Sequence, residues 1–237
     1  MITYLKIFLI GIFTFICSIF AIISTAVDKS YWSYFRISKI FSWGVLWISG
    51  IKLKITGLEN LDSNGTYVIV SNHSSQFDIP GLQFSVPVRM SMVFKKELAK
   101  IPFFGWQLYF GPYVMIDRKN PADAMKSIER AKYLMKEKKV SILLFAEGTR
   151  SKTEEIQPFK RGAFYLAARV GYPIVPVSIS GAQKLLPKGS LRIKPGTLTI
   201  HYDKPIVTTG VVSRQDELNL MQQVRDVIVK NHQLEEK

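Results

Sequence analysis

The segment SNHSSQFDIP, residues 71–80, places a histidine and an aspartate five positions apart, directly after the apolar run TYVIV. Side chains five residues apart on a regular helix point in different directions, so His73 and Asp78 can meet only across a turn. A carboxylate that accepts a hydrogen bond from one imidazole nitrogen leaves the other free to take a proton. The pair therefore predicts a general base with its orienting carboxylate. The structural alternative is a turn histidine and an aspartate that caps a short helix.

A nucleophile beside this base is not indicated. Ser74 and Ser75 carry hydroxyl groups, but the chain contains no Gly-x-Ser-x-Gly elbow, the strained turn on which hydrolase serines stand. The sequence thus favours a base that activates a hydroxyl of the substrate.

A second polar segment, LLFAEGTRS, residues 143–151, also follows a strand-like apolar run. Gly148 permits a close backbone approach, Thr149 offers a hydroxyl, and Arg150 presents a planar fork that suits two phosphate oxygens. Together with Glu147 these residues predict a phosphate-binding turn. An ordinary strand-to-loop turn uses the same residue types, and that alternative stays open.

Further cations follow other apolar runs. Arg118 follows the short run YVMI, Lys95 ends the run RMSMVF, and Lys160 precedes a helical pattern whose first turn would favour an anion. Each is a candidate phosphate ligand or a solvated surface charge. Their repeated position after strand-like runs favours one shared site, because the carboxyl ends of parallel strands meet at one edge of a sheet.

The composition limits the class of protein. The 237 residues are enough for one α/β domain with an appendage, and 32 Lys and Arg against 18 Asp and Glu give a formal charge of +14. Such a surface attracts phosphate-bearing partners, but no RNA- or DNA-binding motif accompanies it, so nucleic acid is not expected. The lone Cys17 lies in an apolar stretch and excludes an internal disulfide or a thiol pair for a metal.

The first fifty residues form a separate, apolar region. Residues 7–27 are uncharged and long enough for a helix that crosses a bilayer, which needs roughly 20 residues. A second apolar and aromatic stretch, residues 31–51, is interrupted by Arg36 and Lys39. We predict a two-helix membrane tether over residues 1–50, with both ends on the cytoplasmic face of the cell membrane because basic residues flank it. A cleaved signal peptide is the alternative.

From residue 51 short apolar runs alternate with helical patterns. Seven runs are strand candidates, beginning with IKLKITG and ending with TLTIHY, and helices are predicted near residues 120–135, 160–170 and 213–228. This alternation predicts an α/β fold with one mixed, largely parallel sheet flanked by helices. No linker divides residues 51–237, so we expect one catalytic domain there.

Four blocks together resemble a known family. NHSSQFD, GPYVMIDR, FAEGTRS and IVPVSI, in this order and at these distances, resemble the four motifs of the glycerolipid acyltransferases, most closely the bacterial 1-acyl-glycerol-3-phosphate acyltransferases. The resemblance covers residues 51–210. It implies transfer of an acyl chain from acyl-CoA or acyl-carrier protein to the sn-2 hydroxyl of lysophosphatidic acid, without a metal or another cofactor and next to membrane lipids.

The same resemblance implies a role for each site residue. His73 would be the general base and Asp78 its orienting partner. Arg118 and Arg150 would bind the acceptor phosphate; Glu147, Gly148 and Thr149 would form the acceptor-binding turn, and Lys95 and Lys160 would add positive charge. Direct transfer without an acyl-enzyme follows for a base that has no neighbouring nucleophile.

Two of the motifs depart from the family pattern. Ala146 stands where the third motif has proline, and Val114 and Met115 replace an aromatic residue in the second. Neither change removes a titratable group, so they bear on substrate preference rather than on the reaction. The alternatives are an acyltransferase with another acceptor, such as glycerol-3-phosphate or another lysolipid, and a basic membrane-binding protein without catalysis.

Overall fold

A seven-stranded sheet forms the centre of the molecule. The computed structural model describes residues 2–117, 122–153, 155–208 and 210–235. Within them the strand order is β1-β7-β6-β2-β5-β3-β4. The strands are β1 (Ile51–Thr56), β2 (Val68–Ser71), β3 (Met90–Lys95), β4 (Val114–Ile116), β5 (Ser141–Phe145), β6 (Ile174–Ser180) and β7 (Gly196–Tyr202).

Most neighbouring strands are parallel. β2 pairs in parallel with β5 and β6, and β3 pairs in parallel with β4 and β5. β6 and β7 pair antiparallel, and β1 runs parallel to β7 at the other edge. The predicted mixed, largely parallel sheet is therefore confirmed, and all seven strand candidates are strands.

The central strand β2 is buried on both faces. Ile69 packs in the core on one face of the sheet, and Val68 and Val70 pack in the core on the other. A strand in this position has apolar residues on both sides, which explains the unbroken run in the sequence.

Helices cover both faces of the sheet. They are α1 (Ile2–Val27), α2 (Trp32–Ser49), α3 (Asp78–Ser85), α4 (Phe104–Phe110), α5 (Ala122–Lys138), α6 (Arg161–Val170), α7 (Ala182–Leu185) and α8 (Arg214–Glu235). The three helices predicted after residue 100 correspond to α5, α6 and α8; the expected start of the first, Asn120–Pro121, lies outside the described residues. Sequence reasoning did not predict α4 and α7, which have only seven and four residues.

The two N-terminal helices pack on the domain. α1 contacts α2 and α4, and α2 contacts α3. Phe35, Val45 and Leu46 of α2 are buried in the cores beside the sheet, and Gly50 leads directly into β1. Two helices are present as predicted, while the domain boundary near residue 50 and the membrane role of the pair stay predictions.

α1 has the length and composition of a membrane helix. It is the one helix of the described chain that meets both requirements for crossing a bilayer, and its surface is largely uncovered. Apolar side chains with at least half their area exposed include Leu5, Phe8, Phe20 and Ile23. Such a surface is suited to lipid, so α1 makes membrane association plausible.

Candidate active site

The predicted polar segments meet at one edge of the sheet. β2 and β5 are parallel neighbours in which Ser71 pairs with Phe145. His73 and Glu147 each follow two residues later, so they leave the sheet side by side. The carboxyl edge of a parallel sheet is where such folds hold ligands.

His73 and Asp78 form the predicted pair. The Nδ1 atom of His73 lies 2.7 Å from Oδ2 of Asp78. A carboxylate only accepts, so Nδ1 carries the proton and Nε2 has the lone pair. The imidazole is 14% exposed, and no group of the described chain hydrogen-bonds to Nε2. The geometry gives a base with its second nitrogen free.

A tight turn brings the two residues together. Asp78 is the first residue of α3, and its carboxylate points back to the preceding loop. Oδ2 also accepts the backbone N–H of Ser74 at 2.8 Å and of Ser75 at 2.9 Å. The N-cap residue is Phe77, so the helix-capping alternative for Asp78 is wrong in detail. The buried carboxylate instead closes the loop around the histidine.

The backbone of His73 is held on both sides. Its N–H donates to Oε1 of Glu147 at 2.7 Å, and its carbonyl accepts the N–H of Ser151 at 2.7 Å. The ring stacks on Phe145 with 3.9 Å between ring centroids. Since Asp78 fixes one ring nitrogen, the imidazole has little freedom, as pre-organised general-base catalysis requires.

Glu147 supports this loop from inside the protein. It is 2% exposed, and its second oxygen, Oε2, accepts the N–H of Gln157 at 3.1 Å. Burial raises the pKa of Glu147, opposed by the hydrogen bonds from the backbone of His73 and Gln157. Both carboxylate oxygens therefore contact protein backbone. The acceptor-binding role of this residue stays a prediction, beside a visible role in positioning His73.

The residues predicted to bind phosphate form a basic turn next to this pair. Gly148 has φ +72°, a conformation that favours glycine, and the Lys160 side chain lies against it. Thr149 is exposed and Arg150 half-buried. A further cation, Lys188, donates through Nζ to the Arg150 carbonyl at 2.6 Å and to Thr149 Oγ1 at 3.2 Å.

This basic turn consists of residues 148–150 with Lys160 and Lys188, and three of its side chains are cations. Within the described ranges none of its three cations pairs with a carboxylate. Unpaired positive charge beside a flexible glycine turn favours a phosphate group.

Neither of the other two predicted cations, Lys95 and Arg118, is described at this turn. Lys95 is exposed at the end of β3 and has no described contact with it. Arg118 lies outside the described residues. Its neighbour Asp117 is 3.1 Å from Lys96 through Oδ2, so the second motif carries an ion pair on the same edge of the sheet. The phosphate roles of Lys95 and Arg118 stay predictions.

A long apolar cavity begins beside the histidine loop. It has a volume of about 450 Å³ and lies between α1, α2, α3 and α4. Gln76, Ile79 and Pro80 line it next to His73 and Asp78 in the sequence, and Cys17 and Ala21 line it from α1. An enclosed space of this size and polarity fits an apolar chain.

Sequence reasoning missed two site residues. Asn72 is buried, and its side-chain amide exchanges hydrogen bonds with the backbone of Ile179 at 2.8 and 2.9 Å, which fixes the end of β2 against β6. Its position directly before His73 was the sequence feature that could have indicated it. No sequence feature indicated Lys188, because it reaches Arg150 only through the path of the chain after β6.

No metal centre is indicated by the side chains in view. Among the described residues no three His, Cys, Asp or Glu groups are placed to hold a metal ion. The expectation that the reaction needs neither metal nor cofactor stays a prediction.

Comparison with known proteins identifies the family of this chain. A family model described as "Acyltransferase" matches residues 52–180. The 1-acyl-sn-glycerol-3-phosphate acyltransferase of Limnanthes douglasii is 35% identical over 207 residues, 84% of this chain and 72% of that protein. The alpha form from Homo sapiens is 30% identical over 176 residues, 74% of this chain and 62% of the human protein. The chain belongs to the acyltransferase family and is an enzyme of that class.

A solved structure shares the whole fold. The 1-acyl-sn-glycerophosphate (LPA) acyltransferase PlsC from Thermotoga maritima has a TM-score of 0.85 with 24% identity, and the match covers 99% of this chain and 95% of that one. The resemblance found in the four sequence motifs is therefore confirmed, and the fold extends it over the N-terminal helices.

Proposed function

We propose that this enzyme transfers a fatty acyl group from acyl-CoA or acyl-carrier protein to the sn-2 hydroxyl of lysophosphatidic acid, giving phosphatidic acid. The observation that carries the proposal is the 2.7 Å contact between His73 Nδ1 and Asp78 Oδ2, which leaves Nε2 as a base next to the basic turn. Relatives that carry the name 1-acyl-sn-glycerol-3-phosphate acyltransferase support this choice of acceptor.

The reaction needs one proton transfer in each direction. Nε2 of His73 takes the proton of the acceptor hydroxyl as its oxygen attacks the thioester carbonyl. Asp78 stabilises the resulting imidazolium. When the tetrahedral intermediate collapses, the carbon–sulfur bond breaks and the imidazolium returns the proton to the leaving thiolate. Both substrates bind together, so no acyl-enzyme is required.

Binding of each substrate follows from the surroundings of the base. Arg150, Lys160 and Lys188 would hold the acceptor phosphate, with Arg118 and Lys95 as further candidates, and so place its hydroxyl near His73. The acyl chain of the donor would enter the apolar cavity beside Gln76. The exposed apolar surface of α1 would keep the site at the membrane, where the acceptor lipid resides; we place it on the cytoplasmic face.

A direct assay tests the proposal. Full-length protein is incubated with labelled acyl-CoA and lysophosphatidic acid, then with labelled acyl-carrier protein, and phosphatidic acid is measured. Glycerol-3-phosphate and other lysolipids are offered in competition. We expect phosphatidic acid from lysophosphatidic acid and nearly none from His73→Ala. Acylation of another acceptor at the expense of lysophosphatidic acid would overturn the acceptor, and an active His73→Ala enzyme would overturn the base.

A further inference from the structure

A second cavity lies at the end of the parallel strands opposite to the end where His73 lies. It has a volume of about 320 Å³ and is formed by the start of α2 and by the segment between α3 and β3. β3 begins at Met90, so this segment lies at the amino ends of the parallel strands, whereas His73 follows a carboxyl end. We call it the basic pocket; its lining includes Trp32, Arg36, Lys39, Gln83, Pro87 and Arg89.

The side chains of three cations line the basic pocket. Lys39 donates to the Val86 carbonyl at 2.8 Å, and Arg89 donates to the carbonyls of Ser30 at 2.9 Å and of Lys138. In the described part of the chain neither these two nor Arg36 pairs with a carboxylate. Burial and the nearby Arg36 charge lower the pKa of Lys39. A concave site with uncompensated positive charge favours an anion.

A buried amide in the wall adds a hydrogen-bonding group. Gln83 is 3% exposed, and its Oε1 atom is buried without a partner among the described residues. A buried polar atom without a partner costs free energy, which a ligand hydroxyl at this wall would recover. Gln83 also lines the apolar cavity that begins at the catalytic pair, so the two cavities share this side chain.

The outer wall of the pocket has the character of a membrane interface. Trp32 is 57% exposed, and the Arg36 guanidinium lies 4.7 Å from the centre of its ring. Ile40, Trp43 and Trp47 continue along the same face of α2 at helical spacing, and each is more than half exposed. Tryptophan and arginine side chains of this kind gather where headgroups meet acyl chains.

These features combine charge for a phosphate with an apolar path for its chains. We propose that the basic pocket binds the headgroup phosphate of an anionic phospholipid, distinct from the substrate site at His73. The phosphate lies among Arg36, Lys39 and Arg89, a headgroup hydroxyl, which in phosphatidic acid belongs to the phosphate, donates to Oε1 of Gln83, and the acyl chains lie along α2 beside Trp43. This contact orients the enzyme on an anionic membrane, and it does not depend on which acceptor the catalytic site uses.

Binding of a short-chain lipid tests the pocket. Full-length protein in nonionic detergent is titrated with dihexanoyl phosphatidic acid and followed by tryptophan fluorescence, in the wild type and in Arg150→Ala, which weakens the catalytic phosphate site. Arg36→Gln/Lys39→Gln removes two pocket charges. The matched control Arg214→Gln/Lys230→Gln removes two exposed charges on α8, which packs against β6 and α6.

We expect saturable binding that persists in Arg150→Ala and weakens on the order of tenfold or more in the pocket variant but not in the control. If circular dichroism shows that the double variant folds poorly, Arg36→Gln alone is used, because Arg36 is exposed. This single variant should also weaken lipid binding. Equal weakening in both double variants would overturn the proposal in favour of diffuse charge. Displacement by inorganic phosphate at concentrations similar to the lipid would overturn the proposal and assign the pocket to a soluble anion. Tighter binding of an acidic carrier protein than of the lipid would overturn it in favour of a protein partner.

Discussion

The Glu147 carboxylate accepts the backbone N–H of His73 at 2.7 Å, so the third motif directly holds the first. Its other oxygen holds Gln157 at 3.1 Å. Both are hydrogen bonds to a buried carboxylate, and such charge-assisted hydrogen bonds are among the stronger ones in proteins. This link explains why two segments 74 residues apart in sequence act as one unit.

Glu147→Gln tests this link. The substituted amide has one acceptor oxygen for two N–H donors, so one bond is replaced by a donor–donor contact that costs about 1–3 kcal/mol. We expect kcat to fall about tenfold to 100-fold with a smaller change in the KM for the acceptor, because His73 shifts while the basic turn keeps its charge. The exposed Glu155→Gln is the matched control. A change confined to acceptor KM would instead make Glu147 a binding residue.

The difference in stability between the wild type and Glu147→Gln should depend on pH. Burial raises the pKa of Glu147 in the folded protein, so the folded state holds this proton more tightly than the unfolded chain. The cost of the buried charge is absent below the ordinary glutamate pKa of about 4.3, grows as the pH rises through the raised value, and is complete above it. In thermal unfolding, the melting temperature of Glu147→Gln should rise relative to that of the wild type as pH increases. A relative rise as pH decreases would contradict a raised pKa of Glu147 in the folded protein.

Asp78→Asn tests how the base is oriented. The amide cannot impose the Nδ1–H tautomer as a carboxylate does, and its nitrogen would occupy a site where Oδ1 has no partner among the described residues. We expect kcat to fall by about 10³–10⁴. The double variant His73→Ala/Asp78→Asn should lose little beyond His73→Ala alone, because the two residues act as a unit. Additive losses, measured by product formation, would contradict a shared role.

Much of this arrangement could be predicted from the sequence because it depends on local pattern. Runs such as VSILLF can only be buried strands in a chain of this composition, and Gly171 ends α6 as expected with φ 73°. The His73–Asp78 contact was predictable for the same reason, since a five-residue turn is a local feature.

What the sequence does not reveal is long-range pairing. The strand order and the contact of Lys188 with Arg150 depend on which segments far apart in the sequence lie next to each other in the fold. Local sequence patterns do not specify these neighbours. Glu147 shows the same limit: the sequence indicated a phosphate-binding turn, but not that packing would bury this carboxylate to 2% exposure.

Lys188→Met should weaken acceptor binding. Its ammonium group donates to the Arg150 carbonyl at 2.6 Å and adds charge to the basic turn, so its loss removes both a hydrogen bond and a proposed phosphate ligand. A hydrogen bond to a charged group contributes about 1.5–3 kcal/mol, and losing that much binding free energy corresponds to a rise in acceptor KM of roughly tenfold to 100-fold. The exposed Lys194→Met serves as the control in the same kinetic assay. An acceptor KM that moves equally in both variants would remove Lys188 from the site.

Ala21→Phe should change which acyl chains the enzyme prefers. Ala21 is 5% exposed and lines the apolar cavity from α1, whereas Gln76 and Ile79 line it from the loop and helix that carry His73 and Asp78. A larger ring there shortens the space for a chain that enters beside His73. Each methylene that no longer fits loses about 0.8 kcal/mol of burial, about a fourfold loss in kcat/KM.

The measurement is kcat/KM for a series of donors of increasing chain length. Long donors should lose activity while short donors keep it. Ser18→Val, a smaller addition to the same wall, should shift the preference in the same direction by fewer carbons, and it guards against a folding defect in Ala21→Phe. Ile12→Phe places the same ring on the exposed side of α1, where Ile12 is 44% exposed, and should leave the chain preference unchanged. If all three variants keep the wild-type order of donors, the acyl chain does not occupy this cavity.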